Sequence, residues 1–176
     1  GVKQFAVGDR VACARVTGGY AAETLAPAAQ CVAVPAAVSS RDAAAVLLQG
    51  MTAHYLAADT FPLQPGHSAL IHAGAGGVGL ILIQLAKRRG ARVLATVGRD
   101  DKVELARAAG ADEVCVYTRD NFTAAARAFT GGRGVDVAFD SVGKDTFAGT
   151  LDSLRPRGMM VTFGNASGAV PPMEPL

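Results

Sequence analysis

Residues 69–79, which read ALIHAGAGGVG, decide the fold of this chain. The segment opens with a short apolar run typical of a buried strand and continues as G-x-G-x-x-G at Gly74, Gly76 and Gly79. In this pattern Gly74 permits a tight turn, Gly76 lets a phosphate approach the backbone, and Gly79 lets a helix pack on the strand. A helix opening at Gly77 adds free N–H groups and a positive dipole end. The segment therefore predicts a strand, a turn that binds a dinucleotide pyrophosphate, and a helix.

The chain after residue 66 alternates between strand and helix patterns. Short apolar or β-branched runs predict strands at residues 69–73, 92–97, 113–117, 135–139 and 159–163. Helices are predicted between them at 77–89, 101–109, 122–129 and 146–154. Three helices are followed by a glycine, where a left-handed residue often ends a helix: Gly90, Gly110 and Gly131. This alternation predicts the α/β class, with a Rossmann-type, doubly wound parallel sheet.

Residues 1–66 have a different pattern. The apolar runs 10–16 and 31–34 lie among closely spaced Gly and Pro residues, which predicts β strands. Ser39 then offers an N-cap for a helix over 43–58, which ends before a Phe-Pro pair.

Composition excludes several classes of protein. The chain has 176 residues, of which 50% are hydrophobic and 18% charged, so it can bury a core and is not disordered. Its 17 basic and 15 acidic residues are scattered, so we expect no nucleic-acid partner and no anionic membrane surface. No apolar run reaches the ~18 residues of a membrane span, and we expect no secretory leader. These features favour a cytoplasmic protein with a small-molecule partner. Because the chain opens at Gly1 without Met, we expect a fragment.

Cysteine and histidine spacings predict no metal site. Three widely spaced cysteines without a C-x-x-C motif indicate neither a disulfide framework nor a zinc ribbon: Cys13, Cys31 and Cys115. We expect three reduced, mostly buried thiols. The histidines have no partner of ligand type one helical turn away: His54, His67 and His72. We therefore expect no metal and interpret His72 as a packed or hydrogen-bonded side chain.

The residues after the second predicted strand of the sheet favour one dinucleotide. NAD-binding proteins usually place an acid where residues 92–97 end, and none stands there. Arg99 and Lys102 are available to pair with an adenosine 2′-phosphate, whereas Asp100 and Asp101 fit as caps of the following helix. NADPH is thus favoured over NADH. Two alternatives stay open, since Lys102 could be a solvated helix residue and Asp100 could bend back toward the ribose.

Four separated segments closely resemble one enzyme family. They are LLQGMTAHY at 47–55, IHAGAGGVG at 71–79, DSVG at 140–143 and VTFGNASG at 161–168. Together they are similar to the zinc-independent quinone oxidoreductases, the zeta-crystallin-like group of the medium-chain dehydrogenase/reductase superfamily. The resemblance implies the C-terminal part of a GroES-like substrate domain in 1–38, a linking helix and turn in 39–66, and an NADP-binding Rossmann domain in 67–176.

The resemblance has further implications for the whole protein. The Rossmann domain would be incomplete at its C-terminus, where residues 171–176 look like a loop, and the full-length protein would be a homodimer. In zinc-dependent relatives a Cys ligand occupies the place of Gln49, so the comparison agrees with the absence of a predicted metal site.

The resemblance also implies the residues that contact NADPH. Thr52 and Tyr55 match positions near the nicotinamide. The pyrophosphate loop comprises Gly76, Gly77, Val78 and Gly79, beside the Gly74 discussed above. The adenosine phosphate pocket comprises Gly98, Lys102 and Tyr117, with Arg99 added from the charge argument. Contacts at the later strand ends are Ser141, Phe163, Gly164 and Asn165.

The expected reaction is hydride transfer from NADPH to a quinone or a similar electrophilic carbonyl, without zinc. A quinone needs hydrogen-bond donors near its developing oxyanion more than a strong acid, and Thr52 and Tyr55 are candidate donors. The sequence assigns no general acid. Two alternatives remain: an enoyl reductase acting on an α,β-unsaturated carbonyl or thioester, and a non-catalytic NADPH-binding structural or regulatory protein.

Overall fold

A computed structural model describes residues 1–173, and the chain forms two compact units, Gly1–Met51 and Thr52–Leu176. The predicted division after residues 38 and 66 stays a prediction. Of the loop predicted at 171–176, residues 171–173 form neither helix nor strand, and the remainder lies outside the described residues. Within residues 1–173, no helix is both long and apolar enough to cross a bilayer.

The first unit contains a small antiparallel sheet and the start of a helix. Strand β1, Val11–Cys13, pairs with β2, Cys31–Ala33, so the predicted strands are present but shorter than their apolar runs. Helix α1 comprises Ser40–Tyr55. The predicted cap is confirmed, because Ser39 Oγ accepts a hydrogen bond from the Asp42 N–H at 3.0 Å.

The second unit is a five-stranded parallel sheet with helices between its strands. Its strands are β3 (Ser68–Ile71), β4 (Arg92–Val97), β5 (Glu113–Val116), β6 (Val135–Asp140) and β7 (Leu154–Thr162). Its helices are α2 (Gly77–Arg88), α3 (Val103–Ala108), α4 (Phe122–Phe129) and α5 (Phe147–Ser153). The spatial order is β5-β4-β3-β6-β7, and every neighbouring pair is parallel. The chain builds outward from β3 on one side and then on the other, which confirms the doubly wound α/β fold.

Alternate residues of the central strands enter two buried clusters. Ala69, Ile71 and Val93 belong to one cluster. Leu70 and Leu94 belong to the other. Because successive side chains point to opposite faces of a sheet, apolar side chains cover both faces. The strand ends are left as the edge where a ligand can enter.

Several predicted element boundaries differ from the structure; helix α1, for example, comprises Ser40–Tyr55 rather than 43–58. Strand β7 begins at Leu154 rather than 159, with an irregular register and a left-handed Arg157 (φ 62°) near its start. A 3₁₀ turn at Asp100–Lys102 delays the start of α3 to Val103. The predicted left-handed residues are confirmed, with φ of 76°, 107° and 62° at Gly90, Gly110 and Gly131.

One buried carboxylate joins three strands at the amino-terminal edge of the sheet. Asp136 of β6 accepts hydrogen bonds from the N–H and the hydroxyl of Ser68 in β3, both at 2.8 Å. Arg133 and Arg155 form ion pairs with it at 2.8 and 2.7 Å. Burial opposes ionisation of Asp136, but the hydrogen bonds from the arginines and Ser68 prevail and lower its pKa. The cluster therefore stabilises the edge opposite the one that can admit a ligand.

Candidate functional site

The turn after β3 contains one non-glycine residue in the left-handed conformation. Ala73 takes the left-handed conformation (φ 51°), whereas Gly74, which also lies in the turn, has no positive φ. Gly74 instead packs on β4: a Cβ there would lie 2.8 Å from the Ala95 Cβ. The Gly74 N–H also donates to the Thr96 carbonyl at 2.8 Å. This glycine allows a close approach to the neighbouring strand.

The start of α2 has the properties of an anion site. Gly76 precedes the helix, and no side chain caps it. The first N–H groups of a helix, here those of Gly77 and Val78, have no acceptor within the helix. A Cβ at Gly79 would lie 2.8 Å from Gly74 Cα, so only glycine lets the helix start this close to the turn. The N–H groups and the helix dipole favour a negative group at this end.

A cavity of about 270 Å³ lies at the carboxyl-terminal edge of the sheet, beside this helix start. Its wall is formed by residues at or after the ends of all five strands: Ala73, Ala75, Gly76, Val97, Gly98, Lys102, Tyr117, Val142, Ala166 and Ser167. In doubly wound sheets this edge, at the switch between β3 and β6, is where ligands bind. Four wall residues were predicted from the sequence: Gly76, Gly98, Lys102 and Tyr117.

The two predicted cations differ in their surroundings. Lys102 lines the cavity and has no ion-pair partner among residues 1–173. Arg99 pairs with Asp101 at 2.9 Å, and its side chain is 69% exposed. Tyr117 packs on Gly98, where a Cβ would lie 3.6 Å from the tyrosine Cε1. Lys102 and Tyr117 therefore both line the cavity, while Arg99 forms an ion pair with Asp101.

The predicted capping role of Asp100 and Asp101 is wrong. No side chain caps the turn that starts at Asp100. Asp100 pairs with Arg119 at 2.8 Å, and Asp101 pairs with Arg99. Arg119 reaches Asp100 because β5 pairs with β4, which brings the loops after both strands together. The sequence holds no local signal for that pairing.

The loops after β6 and β7 pack on each other. The Ala166 N–H donates to the Ser141 carbonyl at 3.1 Å, and a Cβ at Gly164 would lie 3.2 Å from Ser141 Cα. Ser167 Oγ donates to the Val142 carbonyl at 2.8 Å. The four predicted residues of these loops are thus brought together: Ser141, Phe163, Gly164 and Asn165. The cavity wall itself is formed by their neighbours Val142, Ala166 and Ser167, which sequence reasoning missed.

Thr52 and Tyr55 lie in the last turns of α1. Neither lines the cavity, and Tyr55 is 44% exposed. Their role as hydrogen-bond donors to a substrate stays a prediction.

His72, directly after β3, is a buried member of a hydrogen-bond network. Its Nδ1 lies 2.8 Å from Thr96 Oγ1 and its Nε2 lies 2.9 Å from Thr150 Oγ1. The Thr150 hydroxyl has the Asp140 carboxylate and the Thr146 carbonyl as acceptors, so it accepts from Nε2–H, and Thr96 donates to Nδ1. Burial lowers the pKa of His72 to about 4, against the opposing effect of Asp140. The imidazole is neutral, and the prediction of a hydrogen-bonded histidine is confirmed.

The described residues offer no metal site. Within residues 1–173 no group of three or more His, Cys, Asp or Glu side chains could hold a metal ion. Cys115 is buried, whereas Cys13 and Cys31 are half-exposed, so the expectation of mostly buried thiols is wrong for two of three. Gln49 Oε1 is buried and has no hydrogen-bond partner in the described part of the chain.

Comparisons with known proteins agree with this geometry. Residues 77–176 match the family model described as zinc-binding dehydrogenase. Quinone oxidoreductase 1 of Escherichia coli strain K12 is 44% identical over 97% of this chain and 52% of its own length. The 2-haloacrylate reductase of a Burkholderia species is 44% identical over 99% of this chain and 53% of its own length.

The solved structure of E. coli quinone oxidoreductase complexed with NADPH has a TM-score of 0.93 and 42% identity to this chain. The match covers 98% of this chain and 53% of that one. The chain thus spans about half the length of the relatives it matches.

Proposed function

The chain belongs to the zinc-binding dehydrogenase family, and from this membership we propose that its cavity binds NADPH and that the protein is an NADPH-dependent oxidoreductase. The observation that carries the proposal is the cavity at the strand ends, which lies between an uncapped helix start and Lys102, a cation with no ion-pair partner among residues 1–173. An anionic dinucleotide complements both features. The resemblance drawn from the four sequence segments is confirmed for the family.

The residues of the cavity fit NADPH. The N–H groups at the start of α2 would bind the pyrophosphate, and Gly76, without a side chain, leaves room for it. Lys102 would pair with the adenosine 2′-phosphate, with Tyr117 beside it. Arg99 stays a proposed contact that must first leave Asp101. The E. coli relative complexed with NADPH supports this assignment.

When bound, NADPH supplies a hydride from its nicotinamide. The chain orients the nucleotide through the loops after β6 and β7, where Ser141 and Asn165 are proposed contacts. A quinone is already electrophilic, so the acceptor needs hydrogen-bond donors near its oxygen, for which Thr52 and Tyr55 are proposed. Within residues 1–173, no carboxyl or imidazole group that could act as a strong general acid lines the cavity. The proposed acceptor is therefore a quinone or a similar electrophilic carbonyl.

We propose that this chemistry proceeds without zinc, although the family description names it. A catalytic zinc site needs three protein ligands, and residues 1–173 bring no such set together. Gln49 offers an uncharged amide where the resemblance places a cysteine ligand of zinc-dependent relatives. The same resemblance supports a GroES-like substrate domain for 1–38 and a homodimer of the full-length protein. Sedimentation at a monomer mass would contradict the dimer.

A second candidate is reduction of an activated carbon–carbon double bond. The 44% identity to a 2-haloacrylate reductase favours it, because that identity equals the identity to the quinone oxidoreductase. Both reactions use the same cofactor site and differ in the substrate pocket.

NADPH oxidation by the full-length protein separates these functions. Absorbance would be followed with 1,4-benzoquinone, with 2-chloroacrylate and with a crotonyl thioester as acceptors. Turnover with benzoquinone alone supports the quinone proposal, and turnover with only the other two supports the second candidate. NADPH binding without turnover of any acceptor would indicate a non-catalytic NADPH-binding protein.

Cofactor preference is tested on Lys102→Ala, Arg99→Ala and the control Arg107→Ala, whose arginine pairs with Glu104. Loss of a charge-assisted hydrogen bond costs about 1.5–3 kcal/mol. Lys102→Ala should therefore weaken NADPH binding at least tenfold and leave NADH binding nearly unchanged. Arg107→Ala should change neither NADPH binding nor NADH binding. Arg99→Ala should weaken NADPH binding less than Lys102→Ala does, because Arg99 is paired with Asp101. An unchanged preference for NADPH in Lys102→Ala would contradict the assignment.

A further inference from the structure

Two of the three cysteines lie opposite each other in the first unit. Strand β1 pairs with β2 in a register that places Cys13 directly across from Cys31. Seventeen intervening residues hide this relation in the sequence, and only the strand pairing shows it. The function proposed above uses neither thiol.

The hydrogen-bond ladder shows which type of antiparallel pair they form. The Val34 N–H donates to the Arg10 carbonyl at 2.9 Å, one step beyond the Val11–Ala33 pair. Hydrogen-bonded and non-hydrogen-bonded pairs alternate along antiparallel strands, so Cys13 and Cys31 are a non-hydrogen-bonded pair. The Cys31 N–H agrees, because it donates to the Ala28 carbonyl rather than across the ladder.

This pair type brings the side chains closest together. The Cα atoms of a non-hydrogen-bonded pair are about 4.5 Å apart, within the range of about 4.4–6.8 Å found in disulfides. The side chains of both cysteines leave the same face of the two-stranded sheet. A bond between the sulfurs therefore requires no change of strand register.

Both cysteines are partly exposed to solvent, and each thiol contacts only a backbone carbonyl through a weak hydrogen bond. Cys13 Sγ donates to the Arg15 carbonyl at 3.1 Å, and Cys31 Sγ lies 3.5 Å from the Pro27 carbonyl. Both residues are half-exposed, whereas Cys115 is buried. Partial burial, followed by the neighbouring Cys13 thiol, raises the pKa of Cys31, so its oxidation should speed up with rising pH.

We propose that Cys13 and Cys31 form a redox site, a dithiol that a peroxide oxidises to an intramolecular disulfide. The thiolate of one cysteine attacks a peroxide oxygen, which breaks the O–O bond and, from hydrogen peroxide, leaves a sulfenic acid and hydroxide; the hydroxide takes up the proton that the thiol released and becomes water. The second thiol then attacks the sulfenic sulfur, forms the S–S bond and releases a second water. The two sulfurs lose two electrons in total, and the peroxide gains them.

The test uses the full-length protein, reduced and then treated with one equivalent of hydrogen peroxide. Titration should show two thiols fewer per chain, and non-reducing digestion should yield one linked peptide that contains Cys13 and Cys31. Reduction with dithiothreitol should restore both thiols. The product should be independent of protein concentration, because the bond is intramolecular.

Three variants complete the test. Cys13→Ser and Cys31→Ser should each abolish the linked peptide, and the control Cys115→Ser should retain it. A disulfide that includes Cys115, chains linked to each other, or over-oxidation of Cys13 and Cys31 without a bond between them would each overturn the proposal. The digestion of the oxidised wild-type protein by itself decides whether the disulfide forms. The test therefore remains valid even if one of the variants folds poorly.

Discussion

Replacement of Gly79 by alanine tests how closely α2 must approach the turn after β3. An ideal Cβ at Gly79 lies 2.8 Å from Gly74 Cα and 2.9 Å from the Gly74 carbonyl carbon, closer than folded proteins allow. Both are backbone atoms, so no side-chain rotation relieves the clash. The strand, the turn and the start of the helix must move apart.

The size of the effect follows from two opposing contributions. Forcing an extra methyl group into a packed site costs about 1–3 kcal/mol. Alanine in place of glycine stabilises the helix by at most about 1 kcal/mol through its higher helix propensity. Because the clash is with backbone atoms, the cost should lie in the upper part of that range, about 2–3 kcal/mol, so Gly79→Ala should lower the free energy of unfolding by about 1–2 kcal/mol, or roughly 2–8 °C in melting temperature.

A matched control lies in α1. Gly50 is also a helical glycine, but a Cβ there meets no described atom within 4 Å outside its own helix backbone and chain neighbours. Gly50→Ala should therefore raise the free energy of unfolding by about 0.5–1 kcal/mol through propensity alone.

Urea unfolding followed by circular dichroism measures both variants, and an NADPH titration of each follows. Gly79→Ala should also weaken NADPH binding, because the N–H groups at the start of α2 are displaced. If Gly79→Ala is as stable as the unaltered chain while Gly50→Ala is stabilised, the argument from close approach is wrong.

Two further predictions concern buried ionisable groups. Asp136→Asn should destabilise the chain by about 2–3 kcal/mol, since the partly exposed Arg133 and Arg155 lose their anionic partner. Because folding lowers the pKa of Asp136, the stabilisation that its carboxylate provides is lost as the pH falls below about 4, its pKa in the unfolded chain. In urea titrations from pH 7 to 3, Asp136→Asn should therefore lose less stability than the unaltered chain. An equal dependence of unfolding free energy on pH in both proteins would contradict this. Burial lowers the pKa of His72 to about 4, so between about pH 6.5 and pH 4 the imidazole is protonated in the unfolded chain but neutral in the folded chain. The free energy of unfolding should therefore decrease as the pH falls from about 6.5 to 4. An imidazole NMR titration with its midpoint near the ordinary value would refute the neutral, buried His72.

The sequence predicted the fold because each of its signals is local. The strand patterns, the helix patterns and the left-handed residues at Gly90 and Gly110 each depend on the chemistry of a few consecutive residues. Of the four cavity-wall residues predicted from the sequence, Gly76 came from the local glycine pattern and Lys102 from the charge argument, whereas Gly98 and Tyr117 came from the family resemblance. The contact that excludes a side chain at Gly74 could not be predicted, because it is made by Ala95 on the neighbouring strand.

The tertiary structure alone decided which polar groups are engaged. Asp100 meets Arg119 because β4 and β5 are neighbours, and Ser167 reaches the cavity because the loop after β7 folds onto the loop after β6. Cys13 and Cys31 face each other through a strand register that their spacing does not encode. Local patterns determine backbone conformation, since that depends on adjacent residues. Ion pairs, cavity walls and facing thiols depend on which distant segments become neighbours, and only the packed sheet sets those distances.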